Sequence, residues 1–81
     1  MKSEKMISGQ KVYSEGHGVP MGNLATVISE FNKLNWRLIA MAQCGFQQVT
    51  SIANLKPQNI PTFTLVFETV VDDTGIVNYP S

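Results

Sequence analysis

From Asn23 to Leu34, "NLATVISEFNKL", apolar residues recur at Leu24, Val27, Ile28, Phe31 and Leu34. That spacing draws one stripe along an amphipathic helix. Ser29, Glu30, Asn32 and Lys33 make its wet face. Pro20 and Gly22 interrupt any earlier regular structure, and Asn23 is of the type that caps a helix by accepting from first-turn N–H groups. At the other end Asn35 is expected in the left-handed conformation just past the helix, which makes Trp36 the following residue. The ring of Trp36 then packs back on Phe31 as the hydrophobic clasp of a Schellman-type helix end, and its role is structural before it is anything else.

Past the helix the period changes. In "WRLIAMAQ", residues 36 to 43, both alternating sets are apolar: Trp36, Leu38, Ala40 and Ala42 on one side, Ile39 and Met41 on the other. A strand covered on both faces fits that pattern. A second strand is expected over "TFTLVFETVV", residues 62 to 71, with Pro57 and Pro61 bounding it before and Asp72-Asp73-Thr74-Gly75 ending it with turn chemistry. "KMISGQKVYSE" has enough Val, Ile and Tyr for a further strand, with Gly9 marking a bulge or irregular edge. Residues 46 to 55 either pair as a strand or form a loop. "GIVNYPS" is either an arm laid on a neighbour or a frayed end, and residues 1–5 and 74–81 are the segments expected to be flexible or arm-like.

These elements predict an α+β fold in a single domain, 1–81: one amphipathic helix packed on a small, mainly antiparallel sheet of three or four strands. One helix covers one sheet face. The other face needs cover too, and a homo-oligomer would supply it.

Length and charge sharpen that expectation. A chain of 81 residues buries only about 60% of the surface its unfolded form exposes and is marginal alone. Cys44 is the single cysteine and His17 the single histidine, so neither a disulfide nor a zinc cluster can staple the fold. Six basic and six acidic residues cancel, which removes the electrostatic footprint of nucleic-acid binding. No apolar run is long enough to span a bilayer, and the N-terminus lacks an apolar targeting core, so a cytoplasmic protein without membrane contact is expected. Between Asn35 and Phe67 only Arg37 and Lys56 are charged at neutral pH, whereas Lys2, Glu4, Lys5, Lys11 and Glu15 crowd the start. So long an uncharged stretch points to burial against another subunit, because interface cores are depleted of charge.

The strings "VISEFNKLNWRLIAMAQ" and "TLVFE" resemble the small domains grouped as domain-of-unknown-function family 4177. That family's pattern is a strand, a helix ending in Leu-Asn-x-Leu-Gly, a Gly-Trp-Glu-Leu-Val strand and a closing Val-Phe strand. Leu34, Asn35, Trp36 and Leu38 match its centre, and Val66, Phe67 and Glu68 its end. Asn35 stands where the family usually has Gly, Arg37 replaces an acidic residue, and the N-terminal strand lacks the usual aromatic signature. The resemblance covers about half the chain and rests on packing residues, so it implies a fold and no chemistry.

"GHGVPMGN", residues 16 to 23, is the stretch best suited to hold a ligand. Gly16, His17, Gly18, Gly22 and Asn23 precede the helix, where free backbone N–H groups and the helix dipole favour an anion such as a nucleotide or phosphorylated metabolite. The spacing is not that of a P-loop, and a connecting turn accounts for the same residues. Cys44 and His17 could form a nucleophile and base only if the fold joined them, and a lone Cys ending a strand is usually a small hydrophobe. Asp72-Asp73 reads as a solvated turn. No catalytic residue, metal ligand or cofactor is expected. The leading expectation is a non-enzymatic, self-assembling protein-interaction module acting through a charge-poor sheet face or edge. A small-ligand binder using residues 16–23 is the alternative, and a small hydrolase comes last.

Overall fold

The structure is a computed structural model and describes residues 2–50 and 57–80. The order of elements is β1 (Lys2–Lys5), β2 (Lys11–Pro20), a 3-10 turn (Met21–Asn23), α1 (Leu24–Lys33), β3 (Arg37–Thr50), β4 (Pro57–Val70) and β5 (Ile76–Tyr79). This is an α+β architecture with all strand pairs antiparallel. The five strands among the described residues divide between two sheets, β2-β4-β3 and β1-β5, where a single sheet of three or four was expected.

The helix stripe is the expected one. Leu24, Val27, Ile28, Phe31 and Leu34 are half-buried and pack on a small core of Trp36, Leu65, Phe67, Val71 and Val77. Phe31 stacks on Phe67 with ring centroids 4.0 Å apart, which fastens the helix to the central strand. Asn23 occupies the cap position, but its side chain makes no capping bond, because the preceding residues wind into the 3-10 turn and the Leu24 N–H donates to the Met21 carbonyl.

The helix C-terminus closes as the Asn-Trp pair predicts. Asn35 has φ 68°, its N–H donates to the Asn32 carbonyl at 3.1 Å, and the Trp36 N–H donates to the Phe31 carbonyl at 3.0 Å. These are the two bonds of a Schellman motif, and the Trp36 ring meets Phe31 edge-on at 5.9 Å. The strand begins one residue later than expected, at Arg37.

Three expectations are corrected. The terminal segments, within the described residues, pair with each other and are not arms: β1 and β5 pair with Lys2 opposite Tyr79, Val77 is buried, and the indole N–H of Trp36 donates to the Asn78 carbonyl at 2.7 Å. Gly9 lies in the turn between β1 and β2, with φ 84°, and not in a bulged strand. Pro57 is the first residue of β4, as a bounding proline, but Pro61 does not bound the strand and lies within it. The pairing of β4 with β2 ends at Thr62, so Pro61 sits where β4 has a neighbour on one side only, a position that tolerates a missing N–H.

A fourth correction concerns β3. It is an edge strand, with β4 in the centre, and Ile39, Ala40, Met41, Ala42 and Gln43 are exposed where cover on both faces was expected. The expected segment 46–55 is strand as far as Thr50, and its remainder lies outside the described residues. Ten residues of helix cannot reach along fourteen-residue strands, so the β3–β4 hairpin runs on beyond α1. The molecule accordingly measures 53 × 22 × 15 Å.

Candidate functional site: the outer patch and free edge of the three-stranded sheet

Cα partners across a ladder lie on the same sheet face, so the register separates the two surfaces. Val12, Ser14 and Val19 of β2, and Leu38, Met41, Gln43 and Phe46 of β3, share the helix side with Phe63, Leu65 and Phe67. Lys11, Tyr13, Glu15, Arg37, Ala40, Ala42 and Gly45 share the outer side with Thr62, Thr64, Val66, Glu68 and Val70.

Two bulges interrupt this sheet at the same level. On the β2 side, Gly16 pairs with Leu65 and Val19 with Phe63, so His17 and Gly18 together oppose Thr64. Gly18 supplies the left-handed residue, φ 66°, that lets the strand accommodate an extra position. On the β3 side, Gln43 pairs with Phe63 and Gly45 with Thr62, which leaves Cys44 as the extra residue. The residues expected to form a turn before the helix are therefore divided. Gly16, His17 and Gly18 belong to β2, whereas Gly22 and Asn23 lie in the 3-10 turn.

The bulges bring His17 and Cys44 to a common pair of threonines, a relation no sequence spacing signals. His17 Nδ1 lies 3.3 Å from Thr64 Oγ1, and Cys44 Sγ lies 3.6 Å from Thr62 Oγ1. Hydrogen bonding from the Thr62 hydroxyl, then from Thr64 and the Gly18 backbone, holds the Cys44 thiol below its ordinary value, although the side chain is exposed. The second ring nitrogen of His17 faces Glu15 Oε2 at 3.0 Å. His17 thus bonds Thr64 and Glu15, and the Glu15 carboxylate stands where an anion would need a positive neighbour.

A further polar contact lies toward the helix C-terminus. Arg37 donates to Glu68 at 2.9 Å, with the arginine largely exposed and the glutamate nearly buried. With Asn35, Thr69 and Val70 they line an open concavity of about 410 Å³. None of Gly16, His17, Gly18, Gly22 or Asn23 borders it.

The third feature is the free edge. β3 pairs with β4 alone, so one side of its backbone carries no ladder partner among the described residues. From Leu38 to Thr50 it has no charged residue and no proline. Met41 is 51% exposed and Phe46 67%, both on the helix side but beyond the reach of α1. The charge-free stretch announced this surface in the sequence. Its being an edge was not legible there, because the apolar alternation read as a central strand.

No family model, curated protein or solved structure matches the chain, so the resemblance to family 4177 rests on the quoted residues alone. Among the described residues, no helix is long and apolar enough to cross a membrane.

Proposed function

We propose that this chain is a self-assembling protein-interaction module that acts without catalysis, through the charge-poor edge of its three-stranded sheet. The observation that carries the reading is β3: fourteen residues of edge strand, uncharged after Arg37 and bearing exposed Met41 and Phe46. Natural edge strands are ordinarily blunted with lysine, proline or short length, and an edge with none of these is a template for another strand. The reading accounts for the small core as well, since a domain whose buried apolar set among the described residues is five side chains gains stability from association.

An anionic small molecule at Gly16, His17, Gly18, Gly22 and Asn23 has less in its favour, because Glu15 already occupies the His17 imidazole. A hydrolase has less still, with His17 and Cys44 each bonded to a threonine and not to one another. Native mass spectrometry and light scattering across a dilution series test the proposal. An oligomer of defined order is the expected result; a monomer at every concentration, with no partner strand bound, would overturn it.

A further inference from the structure

We infer that the surface joined to this edge is the β3 edge of a second copy, in antiparallel pairing about a two-fold axis between Gln43 and Cys44. The inference rests on the interaction-module reading and adds the partner, the register and the symmetry.

Area is the first argument. A compact monomer of 8.9 kDa exposes about 4800 Å² by the scaling of folded proteins, and this chain exposes 5702 Å². The excess, about 900 Å², is close to the ~800 Å² that each partner contributes to a standard stable interface. The radius of gyration agrees, at 15.9 Å against about 12 Å for a compact domain of this length.

Self-complementarity is the second. A two-fold interface sets a surface against itself, so the edge must match its own reverse. With the axis between Gln43 and Cys44, Met41 falls opposite the partner subunit's Phe46, and Phe46 opposite the partner subunit's Met41. Both side chains lie on the helix side of their own sheet, so they meet on one face of the joined sheet. Thioether–aromatic contact is favourable, and here it occurs twice. Ala42 falls opposite the partner's Gly45, and both lie on the outer face. Moving the axis onto Cys44 sets helix-side residues against outer-side ones, and moving it one step further sets Phe46 against Gln43. From Ala40 to Gln47 the faces match without the first shift, and the Met41–Phe46 contact is kept without the second; beyond Ala40 the other bulge of β3, at Ile39, moves the register by one residue.

Charge is the third argument. An isologous strand pair is disfavoured when like charges oppose each other. Arg37 is the one charged residue of β3 and stands at one end of the strand, so about this axis the two arginines lie roughly 40 Å apart at opposite ends of the pair. The product is a continuous six-stranded sheet with Cys44 beside its own copy at the axis.

The experiment combines sizing, charge substitution and crosslinking on the full chain. M41K/F46K places lysine against lysine on both sides of the axis and should abolish the dimer, while M41K/F46E places lysine against glutamate and should restore it. Far-UV circular dichroism checks the fold of each. Treatment of the wild type with a short bis-maleimide should yield a covalent dimer through Cys44, absent in Cys44→Ser. If the wild type is oligomeric but both double variants associate equally and Cys44 does not crosslink, the register is wrong and the module reading stands. If the wild type is monomeric throughout, both fall. Should the double variants fail to fold, crosslinking of the wild type decides.

Discussion

Gly75 offers the sharpest test of how the two sheets are fastened. It has φ 72°, and a Cβ built on it would lie 2.7 Å from the Met6 carbonyl oxygen. The Gly75 carbonyl in turn accepts from the Met6 N–H at 2.6 Å, the bond that starts the β1–β5 sheet. In Gly75→Ala the left-handed backbone costs roughly 1–2 kcal/mol for a residue with a Cβ. The clash must also move Met6 away and lose its bond, about 1 kcal/mol more. Gly9 is the control, since its φ is 84° but nothing lies within 4 Å of the added atom. Gly9→Ala should therefore carry the backbone cost alone. With a urea dependence of about 1 kcal/mol per molar for a small domain, Gly75→Ala should lower the midpoint by about 2–3 M and Gly9→Ala by about 1–2 M. Unfolding is followed by Trp36 fluorescence at one fixed protein concentration, because association would move the midpoint too. Equal losses in the two variants would show that the Met6 contact does not form, and with it the junction of β1 and β5.

Trp36→Phe keeps an aromatic ring against Phe31 but strands the Asn78 carbonyl, and should cost about 2–3 kcal/mol in urea unfolding followed by far-UV circular dichroism, since Trp36 is the single Trp. Trp36→Ala should cost about 3–5 kcal/mol, because the ring is almost wholly buried. Alkylation of Cys44 as a function of pH should show a midpoint below that of an ordinary thiol, and Thr62→Val should raise it, since the Thr62 hydroxyl is the largest cause of the shift. Burial and then the nearby Glu4 carboxylate push the Tyr79 phenol up from 10.0. A raised folded-state value favours the native state below the unfolded phenol's pKa, and this contribution is lost as pH rises through the folded value, so stability should decline across that window. Glu4→Gln should move the Tyr79 titration, read by ultraviolet absorbance, toward its ordinary value.

Local chemistry was the legible part of this chain. The helix stripe and the Asn35–Trp36 clasp are written within fourteen residues and depend on 3.6-residue periodicity and one left-handed backbone position, which sequence displays directly. Strand neighbours are another matter. Leu38 to Ala42 look the same whether their strand is central or at an edge waiting for cover, and only the β2-β4-β3 order separates the two cases. Pro61 misled for a related reason: a proline ends a strand in the interior of a sheet, but not where one side is open. The four-residue strands at the termini carry too little pattern to announce a pairing that spans nearly the whole chain. At the candidate site, the residue types of 16–18 were visible, but the meeting of His17 and Cys44 over Thr62 and Thr64 arises from two bulges, and bulges leave little mark beyond a glycine.

The pairing of Lys2 with Tyr79 also governs the order of events in time. Closing a loop costs more entropy the longer it is, and contacts distant in sequence form slowly. β3 and β4 are consecutive elements and can zip early, whereas β1 and β5 must wait for the rest of the sheet to bring the chain ends together. Trp36 stands at that last junction through its bond to Asn78. Its fluorescence should therefore lag the circular dichroism signal of the sheet during refolding, which gives the chain a native reporter for its final step.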